Sequence, residues 1–223
     1  MRKIDKGSAP DSLKKWARPS RNQTDAERYD QIYSDKRWDI LEDIVDACSK
    51  EQFYICAYCC QQISGNLLET RVEHVEARKI APKRSLDFSN IVASCKDLNQ
   101  CDKAHGSKEL PLTPLIIECE TELKFRLSGR VEGLTGRAKT AISVLNLGDT
   151  EVKNKALIEK RQSIVDALIW ENYLDDPINL EFEEDKELIE MLIEEFKQPV
   201  EGKLVGYSPI LVNILRQILA DLS

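Results

Sequence analysis

The fold of this chain is decided by residues 56–108, which read CAYCCQQISGNLLETRVEHVEARKIAPKRSLDFSNIVASCKDLNQCDKAHGSK. The stretch holds five of the seven cysteines and both histidines of the 223-residue chain. A C-x2-C pair stands near its start, and a wider cysteine pair stands near its end. Two sulfurs from one tight turn can share a tetrahedral ion with two from another turn, so we predict a structural zinc. Its predicted ligands are Cys56, Cys59, Cys95 and Cys101.

Two other cysteines need an interpretation of their own. Cys56 and Cys60 are also sterically able to share an ion, but the two-residue gap is the commoner geometry and favours Cys59. Cys48 falls in a helical pattern and is predicted to be a buried small hydrophobic residue. A redox pair of Cys59 and Cys60 is disfavoured, because adjacent cysteines do not pair easily.

Composition places the chain among folded proteins that keep their cysteines reduced. It is 42% apolar, which is enough to form a core, and it has no apolar run of about 18 residues that would span a membrane. The N-terminus lacks the apolar stretch of a secretory signal, so we expect a cytoplasmic protein. In that compartment paired cysteines favour metal over disulfides, and seven is an odd number for a complete disulfide framework.

The net charge of −7 is unevenly distributed. Residues 1–109 are nearly balanced, whereas residues 110–223 carry 13 Lys and Arg against 21 Asp and Glu. Nucleic acid should therefore approach the N-terminal half or the cysteine-rich segment. Residues 171–201 are the most acidic part, and they are either the solvent face of a helix or a docking surface for a basic partner.

The spacing of apolar and turn residues predicts an α+β protein in three parts. Residues 1–23 are either a mobile arm or an arm that orders on a partner through Leu13 and Trp16. A capping box at Thr24 starts one long helix or two short ones over 25–49. The predicted domains are an N-terminal arm and helix (1–50), a small metal-braced core (51–115) and a helical, acidic C-terminal region that is a candidate for partner binding (116–223).

Within the core, residues 53–63 are predicted to form a strand that turns through a zinc knuckle, and residues 69–76 a second strand. Residues 86–95 are predicted to run from a loop into an apolar strand. In the C-terminal half, helices are predicted over 137–147, 151–174 and 210–222, with a further helical apolar stripe from Leu188 to Phe196.

A hydrolytic site built on His74 is predicted between the cysteine pairs. Glu73 and His74 are adjacent, so they face opposite ways on a regular strand unless a local bulge turns both to one side. By itself, His74 is more often a half-buried histidine with an ordinary hydrogen bond, and Asn90 is more often a turn residue. Asp102 and His105 are three residues apart and share a face if their segment is helical.

Cations surround this candidate site. Residues 78–84 place four of them in seven positions, and another follows the second cysteine pair. Such a run is either a solvated loop or a binding site for a nucleic-acid backbone. In the second case, the cations would bind phosphates and release their condensed counterions. The candidates for nucleic-acid binding are Arg78, Lys79, Lys83, Arg84 and Lys108.

The combination of these motifs resembles the HNH endonucleases. The shared pattern is C-x2-C, then Glu-His, then Asn shortly before a cysteine, then a last cysteine followed by a polar ligand. MRKIDKG-x-x-P-x-x-L-x-x-W at the N-terminus and AKTAISVLNLGD downstream extend it to the PtuB-type HNH proteins of bacterial Septu and retron antiphage defence systems. The resemblance covers roughly residues 1–165, and its specific motifs lie in 1–16, 56–106 and 138–148.

The resemblance implies a ββα-metal core and a role for each site residue. His74 would be the general base that activates water, and Asn90 would hold the His74 loop or its imidazole. Glu73 and Asp102 would bind a catalytic divalent cation such as Mg2+, with His105 as the alternative second ligand.

The resemblance also implies a setting and partners. The chain would be the nuclease effector of a defence complex acting on DNA or RNA. It would work with a PtuA-type ATPase and, in a retron, with a reverse transcriptase and its nucleic acid. The competing hypothesis is a zinc-braced module that binds nucleic acid or protein without cutting it, in which Glu73, His74 and Asp102 would not converge.

Overall fold

The computed structural model describes residues 1–19, 21–149, 153–167 and 183–222. These residues form eight α-helices and two small antiparallel sheets, which confirms the mixed α and β composition. The helices are α1 (Asp11–Trp16), α2 (Asp25–Ser34), α3 (Trp38–Glu51), α4 (Cys101–His105), α5 (Gly136–Leu145), α6 (Lys155–Val165), α7 (Glu183–Lys197) and α8 (Ser208–Asp221). The strands are β1 (Thr70–His74), β2 (Ile91–Cys95), β3 (Leu123–Phe125) and β4 (Val131–Gly133).

The first sheet is the hairpin-like pair β1 and β2, followed at once by the short helix α4. Thr70 lies opposite Cys95 and His74 opposite Ile91, with every residue between them paired in register. All five residues of β2 are buried, because α3 packs against this sheet. The pairs are consecutive, so β1 contains no bulge, and the bulge that would turn both Glu73 and His74 to one side is absent.

The N-terminal arm is packed against the protein itself, so the prediction of a mobile arm is wrong. Leu13 on α1 is buried, and the Trp16 indole donates to the Arg28 carbonyl at 3.0 Å. The Ile4 backbone N–H donates to the Pro114 carbonyl at 2.8 Å. Leu13 and Trp16 are therefore anchors, as one alternative proposed, but they hold the arm to its own chain.

The predicted helical run over 25–49 is two helices. Thr24 and Glu27 form the expected capping box, in which each side chain satisfies the other's backbone N–H. Lys36 then takes a left-handed φ of 55°, which ends α2 and lets α3 start in a new direction. Cys48 on α3 is buried, as predicted.

Residues 53–63 form the predicted knuckle, but not the strand that was expected to lead into it. Phe53 and Tyr54 both have left-handed backbones, with φ of 52° and 60°, which no strand allows. Only one isolated bridge, between Ile55 and Gln62, remains of the predicted pairing. The aromatic residues that favoured a strand pack here as loop side chains.

The prediction of an all-helical C-terminal half is wrong at β3 and β4. These three-residue strands form a hairpin that packs on α5 and α8. Gly129 in its turn has φ of 76°, and a Cβ there would lie 2.1 Å from the Ile158 carbonyl oxygen on α6. Only glycine allows this close approach of hairpin and helix.

The remaining helices follow the predicted stripes where they are described. Ile189, Leu192, Ile193 and Phe196 on α7 are buried, and its described acidic side chains are exposed or half-buried. The predicted end of the helix over 151–174, and the acidic residues 171–182, lie outside the described residues. None of the helices in the described ranges has the length and apolar character needed to cross a bilayer.

Candidate functional site

The four predicted zinc ligands lie together. One sulfur from each of Cys56, Cys59, Cys95 and Cys101 lies within 4.8 Å of every other, and all four residues are buried. The Cys56 and Cys101 sulfurs are 3.8 Å apart, and those of Cys59 and Cys95 are 3.9 Å apart. A tetrahedral ion with Zn–S bonds of about 2.3 Å places its sulfurs about 3.8 Å apart. The four cysteines therefore fit a metal such as zinc.

The local backbone explains why these cysteines converge and Cys60 does not. The Cys56 N–H donates to the Gln61 carbonyl and the Cys60 N–H donates to the Cys56 carbonyl, which closes the knuckle. Cys60 itself has a φ of 62°, and its sulfur is not in the four-sulfur group. Cys101 has a φ of 55° and starts α4, so its sulfur is directed back to the end of β2.

Among the four sulfurs, that of Cys56 is the one whose thiolate form the surrounding protein groups stabilise, whereas burial raises the pKa of Cys59 and of Cys101. The Cys95 backbone N–H donates to the Cys56 sulfur at 3.4 Å. Burial opposes ionisation of Cys56, but hydrogen bonds from the other thiols outweigh it and lower its pKa well below the usual range. The Gln100 amide donates to the Cys95 sulfur at 3.9 Å and accepts from the Asn154 amide at 2.7 Å. The N-terminus of α6 is thereby linked to Cys95, one of the four clustered cysteines.

A cleft of about 540 Å³ lies beside the cysteine group. Glu73, His74 and Asp102 all line it. Glu73 and His74 come from the end of β1, and Asp102 comes from the first turn of α4, directly after Cys101. The three side chains that the competing hypothesis expected to diverge therefore share one cleft.

Contacts of the His74 ring fix its orientation and leave one ring nitrogen free to accept a proton. Its Nε2 lies 2.9 Å from the Ser85 carbonyl oxygen, which can only accept, so Nε2 carries the proton. The ring stands edge-to-face with Tyr29 at 4.7 Å between centroids. Burial lowers the pKa of His74 to about 4, and the positive charge of Arg78 adds to the fall. The imidazole is therefore neutral near pH 7, with Nδ1 as an acceptor.

Glu73 is held by two buried side chains at one oxygen. His105 Nδ1 lies 2.5 Å from Glu73 Oε1, and the Tyr58 hydroxyl donates to the same oxygen at 3.1 Å. His105 Nε2 lies 2.9 Å from the Lys108 carbonyl and so carries a hydrogen, which means that a second proton is shared between His105 and Glu73. Burial raises the pKa of Glu73 to about 7. The neighbouring Asp102 adds to this rise, whereas His105 opposes it.

This arrangement separates the two candidates for second cation ligand. Both ring nitrogens of His105 are used, and the residue is fully buried, so it positions Glu73 rather than facing the cleft. Asp102 is part-exposed in the cleft and pairs with Arg71 at 3.2 Å. Among the described residues, no group of three His, Cys, Asp or Glu ligand atoms other than the four cysteines meets the same 4.8 Å limit.

Asn90 holds the loop that follows His74, not the imidazole. Its Oδ1 accepts from the Glu76 N–H at 2.8 Å, and its Nδ2 donates to the Glu76 carbonyl at 3.0 Å. The Val75 N–H donates to the Asn90 carbonyl at 2.9 Å. Because Asn90 is buried, these three bonds fix the path of the chain directly after the candidate base.

The predicted nucleic-acid-binding cations are not equivalent. Arg78 lines the cleft and pairs with Asp30 at 2.7 Å, and Arg84 pairs with both Glu76 and Asp87. Lys79 is exposed at the cleft. The exposed Lys83 does not line this cleft, and Lys108 donates to the Ala104 carbonyl at 2.6 Å. Lys79 is thus the cleft cation without an ion pair in the described part of the chain.

Several contributors to the site were missed by the sequence reasoning. Tyr58 lies between Cys56 and Cys59 in the sequence, and that position was a usable signal. Tyr29, Ser85 and Arg71 touch His74 or Asp102 from other elements, and no local pattern marks them. Gln100 precedes a metal ligand, but its tie to α6 depends on tertiary packing.

Comparison with protein-family models and with curated proteins gives no match to this chain. The resemblance to HNH endonucleases therefore stays a prediction carried by the motifs and by the geometry of the cleft.

Proposed function

We propose that the chain is an HNH-type, metal-dependent endonuclease, with residues 51–115 as its ββα-metal core. The observation that carries the proposal is the convergence of Glu73, His74 and Asp102 in one cleft beside the four-cysteine group. Phosphodiester hydrolysis needs a base for the attacking water, a cation near the phosphate and fixed geometry. Each need has a matching side chain in this cleft.

His74 is the proposed general base. Because Nε2 is engaged by the Ser85 carbonyl, a proton taken from water would go to Nδ1. The ring is held by Tyr29 on one side, while the Asn90 clamp fixes the chain that follows it. A neutral, buried and oriented imidazole is the form that a base requires at neutral pH.

Glu73 and Asp102 are the proposed ligands of a hard cation such as Mg2+. Two carboxylates in one cleft suit an ion that prefers oxygen and keeps several of its waters. Tyr58 and His105 both bind Oε1 of Glu73, so Oε2 is free of either contact. When bound, the cation would neutralise charge on the scissile phosphate. The sulfur site and the oxygen site thus serve different metals.

The same proposal includes the setting implied by the resemblance. The chain would act as the effector of a bacterial defence complex, with a PtuA-type ATPase and, in a retron, a reverse transcriptase with its nucleic acid. The acidic C-terminal region is the candidate docking surface for a basic partner. Co-purification of tagged chain with such an ATPase tests this part separately from the chemistry.

His74→Ala tests the catalytic proposal. Purified full chain is incubated with single-stranded and duplex DNA and RNA in Mg2+, alone and with its partner. The variant should lose cleavage while keeping the zinc content and the unfolding midpoint of the wild type, since His74 is not a zinc ligand. Full activity in a folded, zinc-loaded His74→Ala protein would refute the assignment.

A zinc-braced binding module is the second candidate. It is favoured by the lack of a third close ligand beside Glu73 and Asp102 in the described residues. This candidate predicts that the chain binds nucleic acid or protein without cleaving it. The ligand should stay intact with and without Mg2+, for the wild type and for the His74 variant alike.

A further inference from the structure

A row of aromatic rings leads from His74 to the protein surface. Tyr29 stands edge-to-face with His74, and its ring lies 5.8 Å from that of Tyr33, one turn along α2. Tyr33 in turn lies 5.9 Å from Trp38, at an interplanar angle of 81°. The row therefore links the candidate base to the start of α3.

The outer two rings of this row are exposed. Tyr29 is buried, whereas Tyr33 and Trp38 each keep 46% of their surface accessible. In the edge-to-face pair of Tyr33 and Trp38, one ring has neither face covered by its partner and the other has only one face covered. Tyr33 also lines the cleft that holds His74 and Asp102, so the exposed surface is continuous with the candidate site.

The charged side chains near these rings are not suited to binding a nucleic-acid strand through attraction of its phosphates alone. The cleft cation Arg78 is paired with Asp30, and the next arginine, Arg37, forms a two-bond pair with Asp39. The whole chain carries −7. Among the described residues that line the cleft, Lys79 is the one cation without an ion pair, so a contribution that does not depend on charge would add to the affinity for nucleic acid. Stacking of bases on aromatic rings is such a contribution, and it tolerates any sequence.

We propose that Tyr33 and Trp38 form a base-stacking subsite for single-stranded nucleic acid beside the cleft. The inference rests on the nucleic-acid ligand of the proposed function, and it adds that the ligand is single-stranded next to the phosphate that enters the cleft. A duplex conceals its base faces inside its own stack, so it cannot use these rings. A strand with free bases can place one on Tyr33 or Trp38 while its backbone reaches Lys79 and His74.

Binding measured without cleavage tests the subsite. Fluorescein-labelled oligothymidine and oligoadenosine of 12 nucleotides, in DNA and RNA forms, are titrated with full chain in Mg2+-free buffer, beside a duplex of equal length. Tyr33→Ala and Trp38→Ala should each weaken single-strand binding about fivefold or more, the least that a stacking contact contributes per base. Duplex binding should be weaker in the wild type and unchanged in both variants.

Conservative and remote substitutions serve as controls. Tyr33→Phe and Trp38→Phe keep a ring at each position and should retain single-strand affinity. Leu134→Ala removes a side chain of similar exposure, 54%, in the connection between β4 and α5, and should have no effect. Tryptophan fluorescence should be quenched by oligothymidine in the wild type and much less in Trp38→Phe.

The outcomes separate this inference from the nuclease proposal. Unchanged single-strand affinity in both alanine variants would overturn the subsite, even if His74→Ala shows that the chain is a nuclease. Loss of that affinity in a chain that never cuts would support the subsite and overturn the nuclease. Ring variants that lose a protein partner but keep single-strand affinity would assign the rings to a protein interface. A wild type that binds neither strand form would overturn both.

Discussion

At the scale of single residues, the candidate site owes its chemistry to contacts made across the fold. The acceptor nitrogen of His74 is selected by the Ser85 carbonyl, 11 positions later in the chain. Glu73 is oriented by Tyr58 and His105, which come from the cysteine knuckle and from α4. Sequence patterns could indicate which side chains are reactive, but they could not show which oxygen or nitrogen each one keeps free.

Tyr58→Phe should affect the proposed Mg2+ site at Glu73 and Asp102 without affecting the four-cysteine group. The change removes one hydrogen bond to buried Glu73, so we expect a loss of about 1 to 2 kcal/mol in the free energy of unfolding. The zinc content should stay at the wild-type level, while the Mg2+ concentration for half-maximal cleavage should rise several-fold, because Glu73 Oε1 is less firmly held. Tyr207→Phe is the control, since that hydroxyl contacts Gln61 and not Glu73. An equal Mg2+ requirement in both variants would show that Tyr58 does not position Glu73.

The pH dependence of stability should report the burial of His74. Its folded pKa is lowered to about 4, whereas an unfolded histidine has a pKa of about 6.5. Between these values the unfolded chain binds the proton and the folded chain does not, so the stability due to His74 is present above pH 6.5 and falls as pH is lowered. From pH 7 to pH 5 the loss is roughly 2 kcal/mol. Urea unfolding of wild type and His74→Gln at both pH values should show this extra loss in the wild type alone, and equal losses would contradict it.

At the scale of elements, the loops that carry the four clustered cysteines take the place of a strand that the sequence predicted. The C-x2-C spacing and the second cysteine pair together were enough to predict the cysteine group, because the two-residue gap constrains the backbone directly. The strand predicted over 53–63 failed because Phe53 and Tyr54 take left-handed conformations that tertiary packing imposes. The hairpin of β3 and β4 was missed since three residues per strand are too few to display a period of two. Helices with long apolar stripes, such as α7 and α8, were the easiest to predict.

Cys95→Ser should unfold the elements that the cysteine group joins. A structural zinc contributes about 10 to 16 kcal/mol of folding free energy in small domains, which is as much as the whole stability of a typical domain. We expect the variant to lose its zinc and to show no cooperative unfolding of the β1, β2 and α4 region.

Cys60→Ala is the matched control for that prediction. Cys60 is buried next to Cys59, but its sulfur lies outside the four-sulfur group. It should keep the zinc content of the wild type, with only the small cost of a shortened buried side chain. Loss of zinc in Cys60→Ala and its retention in Cys95→Ser would show that the ligands are assigned wrongly.

At the scale of the whole molecule, the N-terminal arm and the C-terminal helices complete one hydrophobic core. Buried side chains from α1, α3, β2, α5 and α8 belong to the same cluster. The composition of residues 1–23 favoured mobility, since local patterns do not show that a few apolar residues meet a distant surface. The α+β class was predictable from the separate patterns of helix and strand, but the closure of the arm on the core was not.

Leu13→Ala tests whether the arm belongs to the core. Leu13 is 1% exposed, so its truncation should lower the free energy of unfolding by about 3 kcal/mol. Lys15→Ala on the same helix changes an exposed side chain and should stay within about 0.5 kcal/mol of the wild type. Equal unfolding midpoints for the two variants in urea would show that the arm does not contribute to the folded core.

The central claim is that a sulfur-bound metal supports a cleft in which Glu73 and Asp102 bind a second, hard cation for phosphodiester cleavage. The most direct measurement is the cleavage rate of zinc-loaded full chain as a function of Mg2+ concentration, for wild type, Glu73→Gln and the exposed-site control Glu76→Gln. We predict a saturable requirement for Mg2+ in the wild type and in Glu76→Gln, and a loss of cleavage in Glu73→Gln at unchanged zinc content. Cleavage that needs no Mg2+, or that is equal in all three proteins, would contradict the claim.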